Sequence, residues 1–81
     1  MSTTNVKLTG EWIQISDGVM TSDMCVESGT AQITLSDTKP CYETGSHTLH
    51  KGNWMKITAP LIAWARTNLD GSEISISKYE I

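Results

Sequence analysis

Glu11-Trp12-Ile13-Gln14-Ile15-Ser16-Asp17-Gly18 sets isoleucines at 13 and 15 among polar neighbours and then stops on Asp-Gly. Side chains two residues apart share one face of an extended strand, and Asp-Gly is turn chemistry. The stretch therefore reads as one strand with a single buried face, followed by its stop.

The same period continues outward. Met24 and Val26, then Ala31, Ile33 and Leu35, form two more alternating sets separated by Glu27-Ser28-Gly29-Thr30. That spacer suits a hairpin, so the two sets are predicted to pair as adjacent antiparallel strands. Ser36 to Gly45 holds Pro40 and few apolar residues, and reads as the longest loop. His47-Thr48-Leu49 follows, then Trp54-Met55-Lys56-Ile57-Thr58 alternates again before Pro60. Leu61-Ile62-Ala63-Trp64-Ala65-Arg66 is more continuously apolar, as expected of a strand covered on both faces or buried against another subunit. Asn68 to Ser72 is a turn, and Glu73-Ile74-Ser75-Ile76-Ser77 is the closing strand, with Ile74 and Ile76 toward the core.

No segment repeats apolar residues at helical spacing. Short strands recurring roughly every 8–12 residues, punctuated by Gly, Pro, Asp and Ser, predict an all-β chain. The expected fold is a small antiparallel β-sandwich or barrel of about seven or eight strands. With 81 residues, the sequence predicts one domain over positions 1–81. Residues 1–5 are expected to be flexible unless a neighbouring element pins them.

A domain this small buries a modest share of its surface, so self-association would help it. The net charge is −3, and Lys7, Lys39, Lys51, Lys56, Arg66 and Lys78 are spread along the chain. This gives no basic footprint for nucleic acid. The start has no positive and apolar signal pattern, and no apolar run is long enough for a membrane helix, so a soluble product of the cytosol is expected. Cys25 and Cys41 are too few for a disulfide framework and are expected to be reduced, although a bridge between them stays open.

The residues offer little catalytic chemistry. His47 and His50 are the only histidines. Three positions apart on a strand, they point to opposite faces, and neither sits in a catalytic motif. With Cys25 and Cys41 they match no common zinc spacing. Each glycine is isolated at a predicted turn, so no phosphate loop forms. The chain is therefore expected to be a non-enzyme with no cofactor and no metal.

The tryptophans are the informative residues. Trp12 shares parity with Gln14 and Ser16, and Trp54 with Lys56 and Thr58, so both indoles fall on nominally polar faces and need cover. That cover is either loop packing within the chain or a partner. Trp64, between Ala63 and Ala65, belongs to the core or to a subunit interface. Trp12, Trp54, Ile62 and Trp64 are thus the candidate interface residues.

Three runs, His47 to Ile57, Ile62 to Thr67 and Glu73 to Ser77, together with the Leu8 to Gly18 and Ala31 to Pro40 sections, resemble small β-sandwich virion proteins of tailed bacteriophages. The resemblance implies a capsid decoration or cement, head–tail or fibre-associated protein. Such a protein is made in the host cytoplasm and assembled into the virion, where it meets capsid or tail proteins. It also implies symmetric self-association, a homotrimer being favoured; the scattered charges and short apolar runs themselves predict no nucleic-acid and no membrane partner. From the residues alone, a module binding carbohydrate through Trp12 or Trp54, or binding a host protein, is the alternative.

Overall fold

A computed structural model describes residues 2–41 and 45–79. It is all-β, with eight strands: β1 (Ser2–Lys7), β2 (Ile13–Asp17), β3 (Thr21–Ser28), β4 (Thr30–Leu35), β5 (His47–His50), β6 (Trp54–Ile57), β7 (Ile62–Arg66) and β8 (Glu73–Tyr79). They form two four-stranded sheets, ordered β1-β8-β3-β6 and β2-β7-β4-β5, and every pairing is antiparallel. We call these sheet A and sheet B.

First pairs with last, second with seventh, third with sixth and fourth with fifth. A long antiparallel ribbon rolled over on itself gives this order, which is that of a jelly roll. The alternation seen in the sequence supplies its core. Met24, Val26, Ile57, Ile74 and Ile76 from sheet A meet Ile15, Ala31, Ile33, Ala63 and Ala65 from sheet B. All are buried, and the small Ala63 and Ala65 let the larger isoleucines opposite them interdigitate.

Two local expectations resolve differently. Residues 1–5, expected to be flexible unless a neighbour pins them, are pinned from Ser2 onward: Ser2 to Lys7 pair in unbroken register with Lys78 to Glu73. The predicted β3–β4 hairpin does not form, because β3 pairs with β8 and β6 while β4 pairs with β7 and β5. The chain instead crosses from one sheet to the other at Gly29, whose φ is +71°. A hairpin would have placed both alternating sets in one layer, whereas the crossing lets them face each other across the core.

Ser72 holds this corner together. It is fully buried, and its Oγ accepts from the Thr30 N–H (3.1 Å) and the Thr67 hydroxyl (2.9 Å) while donating to the Leu69 carbonyl (2.6 Å). Its own carbonyl accepts from the Leu8 N–H at 2.9 Å. One serine thus ties the β1 exit, the β3–β4 crossing and the β7–β8 turn, satisfying polar groups that burial would otherwise penalise.

Candidate functional site

The two outer faces of the sandwich differ. On sheet B, Trp64 on the central strand β7 turns outward and donates its indole N–H to the Ser36 carbonyl at 3.0 Å. Trp12, just before β2, donates to the Cys41 carbonyl at 3.0 Å. The two indoles therefore pin the start of the long β4–β5 loop against the sheet. Arg66 completes the seal: its guanidinium lies 5.8 Å from the Trp12 ring centroid, donates to the Gly10 carbonyl at 3.0 Å and reaches Asn68 at 2.7 Å. Trp12 and Arg66 are buried in consequence. Ile62 is half-buried at the start of β7, beside Gly18.

Sheet A is left open. Its outward side chains follow from the register: Asp23 pairs with Lys56 and Ser77, and Cys25 with Trp54 and Ser75. Trp54, on the edge strand β6, is 72% exposed. Around it stand ordered polar groups. The Tyr79 hydroxyl donates to Asp23 Oδ2 at 2.9 Å, Lys56 Nζ sits 5.9 Å from the Tyr79 ring centroid, and the Ser75 hydroxyl donates to Glu27 Oε1 at 2.8 Å. The adjacent Tyr79 first, and then the Asp23 carboxylate, raise the Lys56 pKa above its ordinary value. Lys56 is therefore a cation throughout the physiological range.

Cys25 lies on this same face yet is buried, and burial, reinforced by the Glu27 charge, pushes its thiol pKa up. A protonated, covered thiol is a poor nucleophile. No disulfide joins it to Cys41. His47 and His50 are both exposed on the edge strand β5, where their pairing with Ile33 and Thr30 sets them on opposite faces. Among the described residues, no three His, Cys, Asp or Glu side chains are grouped to hold a metal ion.

The concavities are modest. A cleft of about 180 Å³ opens between the sheets on the β1–β2 side, lined by Val6, Ile13, Ile15 and Lys78 among others. A wider recess of about 390 Å³ lies beside Leu35, Ser46 and His47.

Large apolar side chains also gather at one end of the sandwich. Val19, in the β2–β3 turn, is 75% exposed, and Leu61, in the β6–β7 turn, is 46% exposed. Leu35, at the end of β4, is half exposed. The Asp17–Ile62 pairing, the Ser16 hydroxyl on the Leu61 carbonyl (3.0 Å) and the Ser36 N–H on the Ile62 carbonyl (3.0 Å) bring these turns together.

The four tryptophan and isoleucine candidates therefore do not form one patch. Trp12 and Trp64 lie under the loop on sheet B, Trp54 stands on sheet A, and Ile62 belongs to the apolar end. Sequence reading did not single out Val19, Leu61, Arg66, Asp23 or Tyr79 as site residues. Leu61 carried a local signal, as the first residue of the continuously apolar 61–66 run, and Val19 could have been noticed as an apolar residue directly after Asp-Gly. Comparison of the chain with known protein families, with curated proteins and with solved structures finds no match.

Proposed function

We propose that this chain is a structural protein of a phage particle, of the capsid-decorating, cement or tail-associated kind, that works by subunit and particle contacts and not by catalysis. The observation that carries the reading is the apolar end, where Val19 and Leu61 on turns and Leu35 at the end of β4 present large side chains to solvent beside backbone held by hydrogen bonds. Ordered apolar groups clustered on a small domain are suited to burial against another chain. A second copy placing the same end about a symmetry axis closes a cyclic oligomer, with a trimer favoured by the phage resemblance. The jelly-roll order agrees with a virion role but does not select it, since viral capsid and lectin domains share it.

Light scattering after gel filtration, at several concentrations, tests the reading. A discrete closed oligomer that Val19→Asp and Leu61→Asp both dissociate into folded monomer supports it, and purified protein should then adsorb to particles lacking it. A concentration-independent monomer that ignores phage particles removes it.

A further inference from the structure

We infer that the outer face of sheet A is a carbohydrate-binding surface, with Trp54 as the stacking platform for a neutral pyranose and the carboxylates of Asp23 and Glu27 as hydrogen-bond acceptors on either side. The inference uses a different surface from the apolar end and does not depend on the assembly reading.

Three features of the face point to a sugar. The first is an indole 72% exposed on an edge strand, with a π-face open to a ligand. A pyranose ring stacks on such a surface through its C–H bonds, burying apolar area while its hydroxyls stay at the rim. The second is what surrounds the indole. Asp23, Cys25 and Glu27 follow one another at alternate positions of β3, and Trp54 pairs with the middle one. Four residues of strand, shortened by the bulge between Val26 and Ser28, put the backbone positions of the two carboxylates on the order of 10 Å apart. That span suits a short oligosaccharide better than a single ring.

The third feature is preorganisation. Tyr79 holds one oxygen of Asp23 and Ser75 holds one oxygen of Glu27, which leaves Oδ1 and Oε2 without a bond among the described residues. Each carboxylate is thus fixed in orientation with an acceptor still available for a sugar hydroxyl. Lys56, beside Asp23 and held cationic, adds a donor. Acceptors and donors fixed in advance reduce the ordering cost of a weak ligand.

The same features disfavour a second copy of the chain as the occupant. A stable protein interface buries about 800 Å² per partner around an apolar, charge-depleted centre. Here a single indole stands among Asp, Glu, Lys and Ser side chains, so the apolar centre is missing.

The test uses the full chain, isotope-labelled, titrated with cello-, malto-, N-acetylglucosamine and galactose oligosaccharides up to about 10 mM, the range of weak sugar binding. The indole N–H resonances distinguish the sites, because those of Trp12 and Trp64 are tied to carbonyls and shielded by the loop. The expected result is a saturable shift at Trp54 with at least one oligosaccharide, while Trp12 and Trp64 stay in place. Trp54→Ala should weaken that binding about tenfold or more, Trp54→Tyr should keep most of it, and Glu27→Gln should weaken it without touching the indole. All three should melt at the wild-type temperature, because the groups are exposed, and Val19→Asp should leave sugar binding intact. No Trp54 shift with any of the four sugars overturns the inference, and so does binding that survives Trp54→Ala unchanged.

Discussion

Gly29→Ala should be the most damaging single-methyl addition in the chain, and its cost can be built from the crossing between the sheets. Gly29 has φ +71°, a region where an L side chain costs roughly 1–2 kcal/mol. The added Cβ would also run into Ser72, whose Oγ it would overlap and whose Cβ and Cα lie at 2.9 and 3.0 Å. Ser72 is fully buried and cannot swing into solvent. Moving it breaks bonds to Thr30, Thr67 and Leu69, each with a net value of about 1 kcal/mol. The sum is about 4–5 kcal/mol. A domain of this length has only about 4–12 kcal/mol in all, at roughly 0.05–0.15 kcal/mol per residue.

Gly52→Ala is the control. Its φ is +89°, but an added Cβ meets nothing within 4 Å, so only the backbone cost of roughly 1–2 kcal/mol applies. Urea unfolding followed by circular dichroism should give the two variants clearly different midpoints with similar slopes. In thermal unfolding, Gly29→Ala should lose on the order of 20 °C, about twice the loss of Gly52→Ala or more. A double-mutant cycle sharpens the test. With Ser72→Ala in the background, the hydroxyl network is already gone, so Gly29→Ala should cost about 3 kcal/mol less than it does alone. Equal losses at Gly29 and Gly52, or additivity with Ser72→Ala, would refute the account of the corner.

Trp64→Phe keeps an aromatic ring but removes the donor to the Ser36 carbonyl and part of the packed surface, and should cost about 1 kcal/mol or more and speed proteolytic cutting of the β4–β5 loop. Ser22 Oγ is buried with no hydrogen-bond partner among the described residues, so Ser22→Ala should raise the urea midpoint, by up to about 1 kcal/mol in stability. Asp17 accepts from the Val19 and Met20 N–H groups, which lower its pKa below 3.8. A lowered carboxyl contributes stability above its unfolded pKa and loses it as the pH falls through the folded value, so Asp17→Asn should flatten the decline of melting temperature below about pH 4.

How far the sequence could be read follows from the distance over which each feature is decided. Alternation is local, and it was enough for the all-β class, for seven of the strands and for the inward set of Met24, Val26, Ala31, Ile33, Ile57, Ile74 and Ile76. Pairing is not local. Glu27 to Thr30 looked like a hairpin because spacer length and composition report only that the chain reverses, not whether it returns in the same sheet or the opposite one. What decides this is Ser72, more than forty residues away, which fixes Gly29 and Thr30 at the crossing. β1 is a similar case: its Ser-Thr-Thr-Asn start has no alternating apolar signal and becomes a strand because β8 lies beside it.

The same distinction separates the two faces. Parity correctly placed Trp12 and Trp54 on polar sides, since side-chain direction along a strand is a local property. Whether each indole is covered depends on remote chain: the loop carbonyls of Ser36 and Cys41 reach Trp64 and Trp12, and no described loop reaches Trp54. The Asp23–Tyr79 bond joins residues 56 apart, and Glu27–Ser75 joins residues 48 apart. Neither is visible until β3 and β8 are known to be neighbours. Once they are, the exposure of Trp54 acquires a setting, because the rolled ribbon places the last strand's hydroxyls beside the third strand's carboxylates and orients both around the indole on β6.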